Sequence, residues 1–299
     1  MVKTIRQHQQ SYLWSKELQD ILRGISGGFL FGIPLMYTME VWWIGSHVEP
    51  PLLLAALAAT YLVVFLLNRT EGFRNRSSGG LRDDAMDSVE ALAIGILCTT
   101  FMLILLRRIT WDTSLDEMLG KVIFESVPFS IGVALSRSLL NGDRVGSNQV
   151  QETKPKTASH SQRNKVNVKE TMGDISATLI GATIVAFNIA PTDEIPMLAA
   201  ATSPPWLIAI LVSSLLISYN IVFVAGFINQ HKRHQQLGLF QTPETETVIC
   251  YLVSLLASVL MLWFFHQLTF NDPWFLWLRY TLLLGLPATI GGAAGRIAI

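Results

Sequence analysis

Residues 51–67 read PLLLAALAATYLVVFLL, seventeen consecutive positions without a charge, an amide or a glycine. At about 1.5 Å per residue a helix of this length covers about 26 Å, close to the ~30 Å hydrocarbon core of a bilayer. A barrel wall would alternate apolar and polar positions, and nothing in this run alternates. Charged residues make up 15% of the 299 in the chain, against about 25% in a soluble domain. The solvent this sequence is written for is lipid.

Outward from that run, seven further apolar blocks of similar length follow the same pattern. With it they cover Ile21–Ile44, Pro51–Leu67, Ala85–Leu106, Met118–Leu140, Met172–Ala190, Pro205–Ile228, Val248–Leu268 and Phe275–Ile299. The expectation is an all-α membrane protein with eight transmembrane helices. Lys and Arg fix the orientation, since they collect on the cytoplasmic side. Eighteen of them fall in the N-terminal segment through Arg23, in the second-to-third connection, in the fourth-to-fifth connection counted from Arg137, in the sixth-to-seventh connection or at the C-terminal Arg296, and four (Arg107, Arg108, Lys121 and Arg279) fall opposite. Both termini are therefore expected in the cytoplasm. Trp42, Trp43, Trp111, Trp206, Trp274 and Trp277 then all lie at the outer ends of spans, where an indole has both lipid and water to contact. The first twenty residues, with Lys3, Arg6 and Lys16, are too polar for a cleaved signal peptide.

Lys plus Arg and Asp plus Glu are balanced at 22 each, so net charge points to no nucleic-acid partner. Cys98 and Cys250 each sit alone in an apolar block, which reads as two buried free thiols and not as a metal site. The polar stretch Asn141–Val168 has too few apolar residues to offset its ordering entropy and reads as a flexible cytoplasmic linker. It divides the chain into a first four-helix membrane repeat, 1–140, and a second, 169–299.

The word repeat rests on the fourth and eighth blocks. Val127-Pro-Phe-Ser-Ile-Gly-Val-Ala-Leu-Ser-Arg137 aligns without a gap on Leu286-Pro-Ala-Thr-Ile-Gly-Gly-Ala-Ala-Gly-Arg296, with five of eleven positions identical. Pro128, Gly132 and Arg137 answer to Pro287, Gly291 and Arg296. The same offset pairs Thr110-Trp111-Asp112 with Thr269-Phe270-Asn271, and a weaker match sets Ile25-Ser26 against Ile175-Ser176. Halves with an even number of spans enter and leave on one side, so the repeats are expected to be parallel, as in one class of transporters.

Pro34, Pro128 and Pro287 interrupt spans, and each leaves a carbonyl without its helical donor. That carbonyl must find another partner inside a membrane. A static kink is the plain reading, and a hinge or coordination point the functional one. Gly24, Gly28 and Gly32, Gly132 and Ser136, and Gly291 and Gly295 form smooth stripes that let helices approach closely. The stripes suit packing between the halves or between copies of the chain in a homo-oligomer.

Ionisable groups inside spans cost several kcal/mol unless paired or hydrated. Glu40 lies about 6 Å from the outer end of the first block and Glu125 about 10 Å from that of the fourth. Glu90 lies in the cytoplasmic half of the third block. As candidate intramembrane polar stations the three would carry a cation or a proton. As structural residues they would pair with Arg23, Arg137 or the backbone. Asp174 reads as ordinary first-turn helix chemistry. His231 and His234 read as a soluble loop. No H-E-x-x-H, G-x-S-x-G, phosphate loop or Cys/His ligand pair is present, so neither an enzyme nor a cofactor or metal is indicated.

The run Gly27-Gly28-Phe-Leu-Phe-Gly32-Ile-Pro34-Leu-Met-Tyr-Thr38-Met39-Glu40-Val-Trp42, with the duplicated Pro-Ile-Gly-Ala-Arg ending, resembles a bacterial family of "putative integral membrane proteins" of unknown function. The resemblance implies a location in the bacterial inner (plasma) membrane and transfers no activity. The Phe-Ser-Asp signature of a potassium-channel family with repeated helices is absent, so that pore is not assigned. Two functions stay open: a transporter or channel for a small ion or solute along the interface of the halves, or a non-transporting scaffold or assembly factor whose basic linker recruits a cytoplasmic partner.

Overall fold

Every regular element among the described residues is an α-helix, as long apolar runs require when each backbone N–H and C=O must be satisfied within its own segment. The computed structural model describes residues 2–70, 80–140, 160–228 and 243–298. In chain order the helices are α1 (Val2–Met36), α2 (Met39–His47), α3 (Pro50–Thr70), α4 (Leu81–Leu105), α5 (Leu115–Ala134) and α6 (Ser136–Leu140). They continue with α7 (His160–Ile189), α8 (Glu194–Ala201), α9 (Pro204–Ile228), α10 (Pro243–Phe264) and α11 (Trp274–Ala298).

Six are long and apolar enough to cross a membrane: α3, α4, α11 and the apolar parts of α7, α9 and α10. A seventh results if α1 from Trp14 and α2 count as one span. The apolar surface they present is what lipid demands: α3 alone exposes Leu52, Leu54, Leu62, Val63 and Leu66. Helix α5 is set apart from these six by its charges: Asp116, Glu117, Lys121 and Glu125 lie within it.

Three expectations change. The first block does not run straight to Ile44: α1 stops at Met36, and α2 leaves at 91°. Hydropathy continues across Tyr37-Thr38, so composition could not show the corner. The fourth block is interrupted at Leu135, between α5 and α6. Helix α7 begins at His160, inside the stretch read as linker, so 160–168 are helical; residues 141–159 lie outside the described residues.

The chain divides into two units. The first comprises Met1–Met36, Glu40–Met102 and Asp112–Leu140. Its centre is α5, against which α1 closes through glycine. A Cβ on Gly27 would strike the Gly132 carbonyl and Ser136, and one on Gly32 would strike the Phe129 ring. Phe29 and Phe129 then meet edge to face, with centroids 6.2 Å apart. Gly27, Gly28, Gly32 and Gly132 thus pack inside this unit. Helix α4 meets α5 at Gly95 and Ser130, and α3 holds α4 through Asn68 Nδ2, which donates to Ser88 Oγ at 3.0 Å.

The second unit comprises Asn141–Ile299 with Tyr37–Met39 and Leu103–Trp111. Its centre is α11, buried continuously from Thr281 to Ala293. Gly181 and Ala177 of α7 lie on Gly291 and Gly295, and Ser254 of α10 lies on Gly292. Again the stripe is spent within the unit. Asp174 falls well inside α7, not in its first turn, and accepts from Arg296 at 3.3 Å.

Local geometry in residues 2–140 recurs in residues 160–298. Arg107 and His266, 159 residues apart, both sit at φ 58°. Arg107 N donates to Ile104 O and Arg108 N to Leu103 O; His266 N donates to Trp263 O and Gln267 N to Leu262 O. These are the same left-handed helix stop. Gly27 against Gly132 and Gly181 against Gly291 set α1 and α7 at an offset of 154. Pro50-Pro51 and Pro204-Pro205 share that offset, as do Glu40 and Glu194. So do the hydroxyls of Thr60 and Ser214, which donate to the carbonyls of Ala56 and Ile210. The pairing of Ile25-Ser26 with Ile175-Ser176 has an offset of 150, four residues less.

Candidate functional site

Helix α5 starts in water and ends in an apolar bundle, and its polar residues grade accordingly. Ser114 caps it, its hydroxyl accepting from Glu117 N at 3.4 Å, and Asp116 and Glu117 suit the positive end of the helix dipole. One turn on, Lys121 Nζ donates to Glu117 Oε1 at 2.5 Å. That bond, with smaller help from Ser46 and His47, holds the Glu117 carboxyl below the usual carboxylate range. Lys121 is itself largely buried, because α2 crosses α5 with Gly45 on the backbone of Gly120 and Lys121.

Another turn brings Glu125, which is 1% exposed. The buried Trp42 indole of α2 lies beside it. Glu125 Oε1 is buried without a hydrogen-bond partner, as is the hydroxyl of Ser130. Thr99 of α4 donates to the backbone carbonyl of Glu125 at 3.4 Å, and Ser126 donates to Ile123 O at 2.8 Å. Among the described residues no cation pairs with the Glu125 carboxyl. A buried polar group in that state costs about 1–3 kcal/mol on mutational scales. A fold selected only for stability would not keep it.

The three carboxylates singled out from sequence do not converge. Glu40 is exposed in the first turn of α2. Glu90 is half-buried on α4, nine residues and so about 13 Å along the axis from Thr99, which marks the level of Glu125. Arg23, read as a partner for them, pairs instead with Asp20 at 2.7 Å. Pro34 lies within α1, two residues before its end. Arg137 lies in α6. Pro128 lies in α5, three residues past Glu125.

The second unit satisfies its proline with protein. Pro287 frees the carbonyl of Leu283, four residues earlier, and the buried Tyr37 hydroxyl donates to that oxygen at 2.9 Å. Glu194, at the start of α8, is 7% exposed. Its Oε1 accepts from Met39 N at 3.2 Å, and its Oε2 has no partner. Arg279 donates to Ala199 O at 3.0 Å, meeting the negative end of α8.

Sequence reasoning passed over Lys121, Trp42, Thr99, Ser130, Tyr37 and Glu194. For Lys121 a signal existed: Glu117, Lys121 and Glu125 are spaced by four and share one face of a helix. For the others only tertiary packing makes them neighbours. Among the described residues no group of three or more His, Cys, Asp or Glu could hold a metal ion.

Searches of curated proteins and of solved structures find no match. Residues 20–299 match the family described as "Putative integral membrane protein (DUF2391)". With nearly the whole chain covered and its apolar helices in place, the protein belongs to that family of integral membrane proteins.

Proposed function

We propose that this integral membrane protein moves a small cation or a proton across a bacterial inner membrane, with Glu125 as its binding station. The observation that carries the reading is the Glu125 carboxyl, buried deep in α5 with one oxygen that has no hydrogen-bond partner. Intramembrane carboxylates are rare, and those kept without a structural partner mark ion and proton paths.

The frame for this station is eight spans in two parallel four-helix repeats, with both termini in the cytoplasm. Support for the eighth span is that three of the four charges on α5 lie near its solvent end, where Lys121 pairs with Glu117. Glu125 then remains as the one charge deep in the segment. Support for duplication is the shared helix stop at Arg107 and His266 and the shared glycine contacts. Support for the orientation is the eighteen-to-four excess of Lys and Arg.

The test is flux into proteoliposomes under H⁺, Na⁺, K⁺ and Cl⁻ gradients, with wild-type protein beside Glu125→Gln and Glu40→Gln. Selective flux lost in Glu125→Gln and kept in Glu40→Gln is expected. Folded protein that passes nothing above empty liposomes would shift the function to a membrane scaffold.

A further inference from the structure

We infer that the species exchanged at Glu125 is a proton and not a metal cation. The inference deepens the transport reading and rests on it for its purpose, but its chemistry stands on the site alone. A hard metal ion needs about six oxygen ligands, as Ca²⁺ and Mg²⁺ do. Among the described residues no group of three His, Cys, Asp or Glu gathers here to supply such a shell. The hydroxyls of Thr99 and Ser126 are held against the backbone, on the carbonyls of Glu125 and Ile123. Ser130 is five residues on, about 140° around the helix, and packs on Gly95.

The groups that do address the carboxyl have the wrong polarity for a cation. Trp42 offers an indole N–H, which can only donate. Lys121, one turn away on the same face, is likewise a donor only, and it is bound to Glu117. A proton needs no coordination shell, only the one carboxyl oxygen that has no partner. One O–H bond forms at Oε1 with a proton taken from water, the same bond breaks to return it, and nothing is oxidised or reduced.

The other titratable groups on the packed helices do not compete for the role. On α5 there is Glu117, bound to Lys121. Helix α2 carries Glu40 and His47, both exposed. Helix α4 carries buried Cys98 beside Thr99, with Glu90 and the further acids towards its start. In the first unit α1 carries Lys16, Glu17 and the Asp20–Arg23 pair far from Phe29 and Phe129, α3 carries Tyr61 and Arg69, and α6 carries Arg137.

The experiment is labelling of the full-length protein in liposomes with dicyclohexylcarbodiimide, an apolar reagent that attacks protonated carboxyls, read by peptide mass spectrometry. Glu125 should be modified, and Glu125→Gln should lose that label. The rate should fall about tenfold for each further pH unit once the carboxyl has begun to ionise, and Na⁺, K⁺ and Ca²⁺ should leave it unchanged. Graded protection by any of these ions, or no labelling at any pH, would overturn the proton assignment. Proton-type labelling in a protein that passes nothing in the flux assay would instead sink the transport reading and leave the site. Metal protection with flux retained would do the reverse.

Discussion

Leu284 stands 159 residues after Glu125, the position the proposed duplication pairs with it, and is fully buried. The comparison shows what α5 could have carried had packing been the only requirement. Glu125→Leu should therefore raise stability by about 1–3 kcal/mol, read as a higher unfolding midpoint in detergent, while flux disappears. A variant that loses stability would mean the carboxyl is a structural strut. Glu117 obeys the opposite logic. Its carboxyl is lowered by the hydrogen bond from Lys121, so the contribution of the pair is fully present above the ordinary carboxylate value. It is lost as pH falls through the lower folded value. Glu117→Gln should flatten the acid limb of a plot of melting temperature against pH in that window, and an unchanged limb would deny the pair any role in folding. At this scale the sequence exposed the residue types but not their states. Glu40 and Glu125 look alike in a hydropathy window, yet one is exposed and the other enclosed. Only the helices brought against α5 from distant positions make that difference.

Helices here are held by contacts of small residues and by hydrogen bonds that repair proline. Tyr37 donating to Leu283 O is such a repair. Tyr37→Phe should cost about 1–2 kcal/mol, because the carbonyl freed by Pro287 is then buried without a donor. In Pro287→Ala the helix supplies its own donor, so the same Tyr37→Phe change should cost little; equal costs in both backgrounds would refute the repair. Glycine divides the same way. A Cβ at Gly181 would collide with the Gly291 carbonyl, whereas one at Gly173 meets nothing. Gly181→Val should separate α7 from α11 and cost at least 2–3 kcal/mol. Gly173→Ala should be neutral or gain up to about 1 kcal/mol from helix propensity. Thermal unfolding of the two variants decides the matter, and equal effects would mean the stripe is not a contact. The stripes themselves were plain in the sequence from their spacing. Their partners were not, because a smooth face shows that something packs closely without showing what. The corner between α1 and α2 was hidden for a related reason: Trp42 and Trp43 extend the apolar run while the backbone turns by 91°.

For the whole molecule, the proposed duplication is parallel only if an even number of helices crosses in each half, and α5, with its four charges, decides that number. Glu49 precedes Pro50-Pro51 and Ser203 precedes Pro204-Pro205, and both are exposed. If α1, α3, α4 and α5 all span, four crossings separate one half from the next, and these two residues share the outer side. If α5 does not span, three crossings intervene and they fall on opposite sides. The measurement uses single cysteines at Glu49, Ser203, Asn75 and Ser159 in a background with Cys98 and Cys250 replaced, labelled in intact cells with a membrane-impermeant maleimide. Cysteines at 49 and 203 should react and those at 75 and 159 should not until the cells are opened. Reaction at 49 without 203 would remove α5 from the span count and make the halves inverted. Glu125 would then lie in a helix that does not cross, and its carboxyl could not be a station on a transmembrane path. The topology experiment thus bears on function as directly as on fold, since a buried charge has a transport meaning only where the helix carrying it passes through the bilayer.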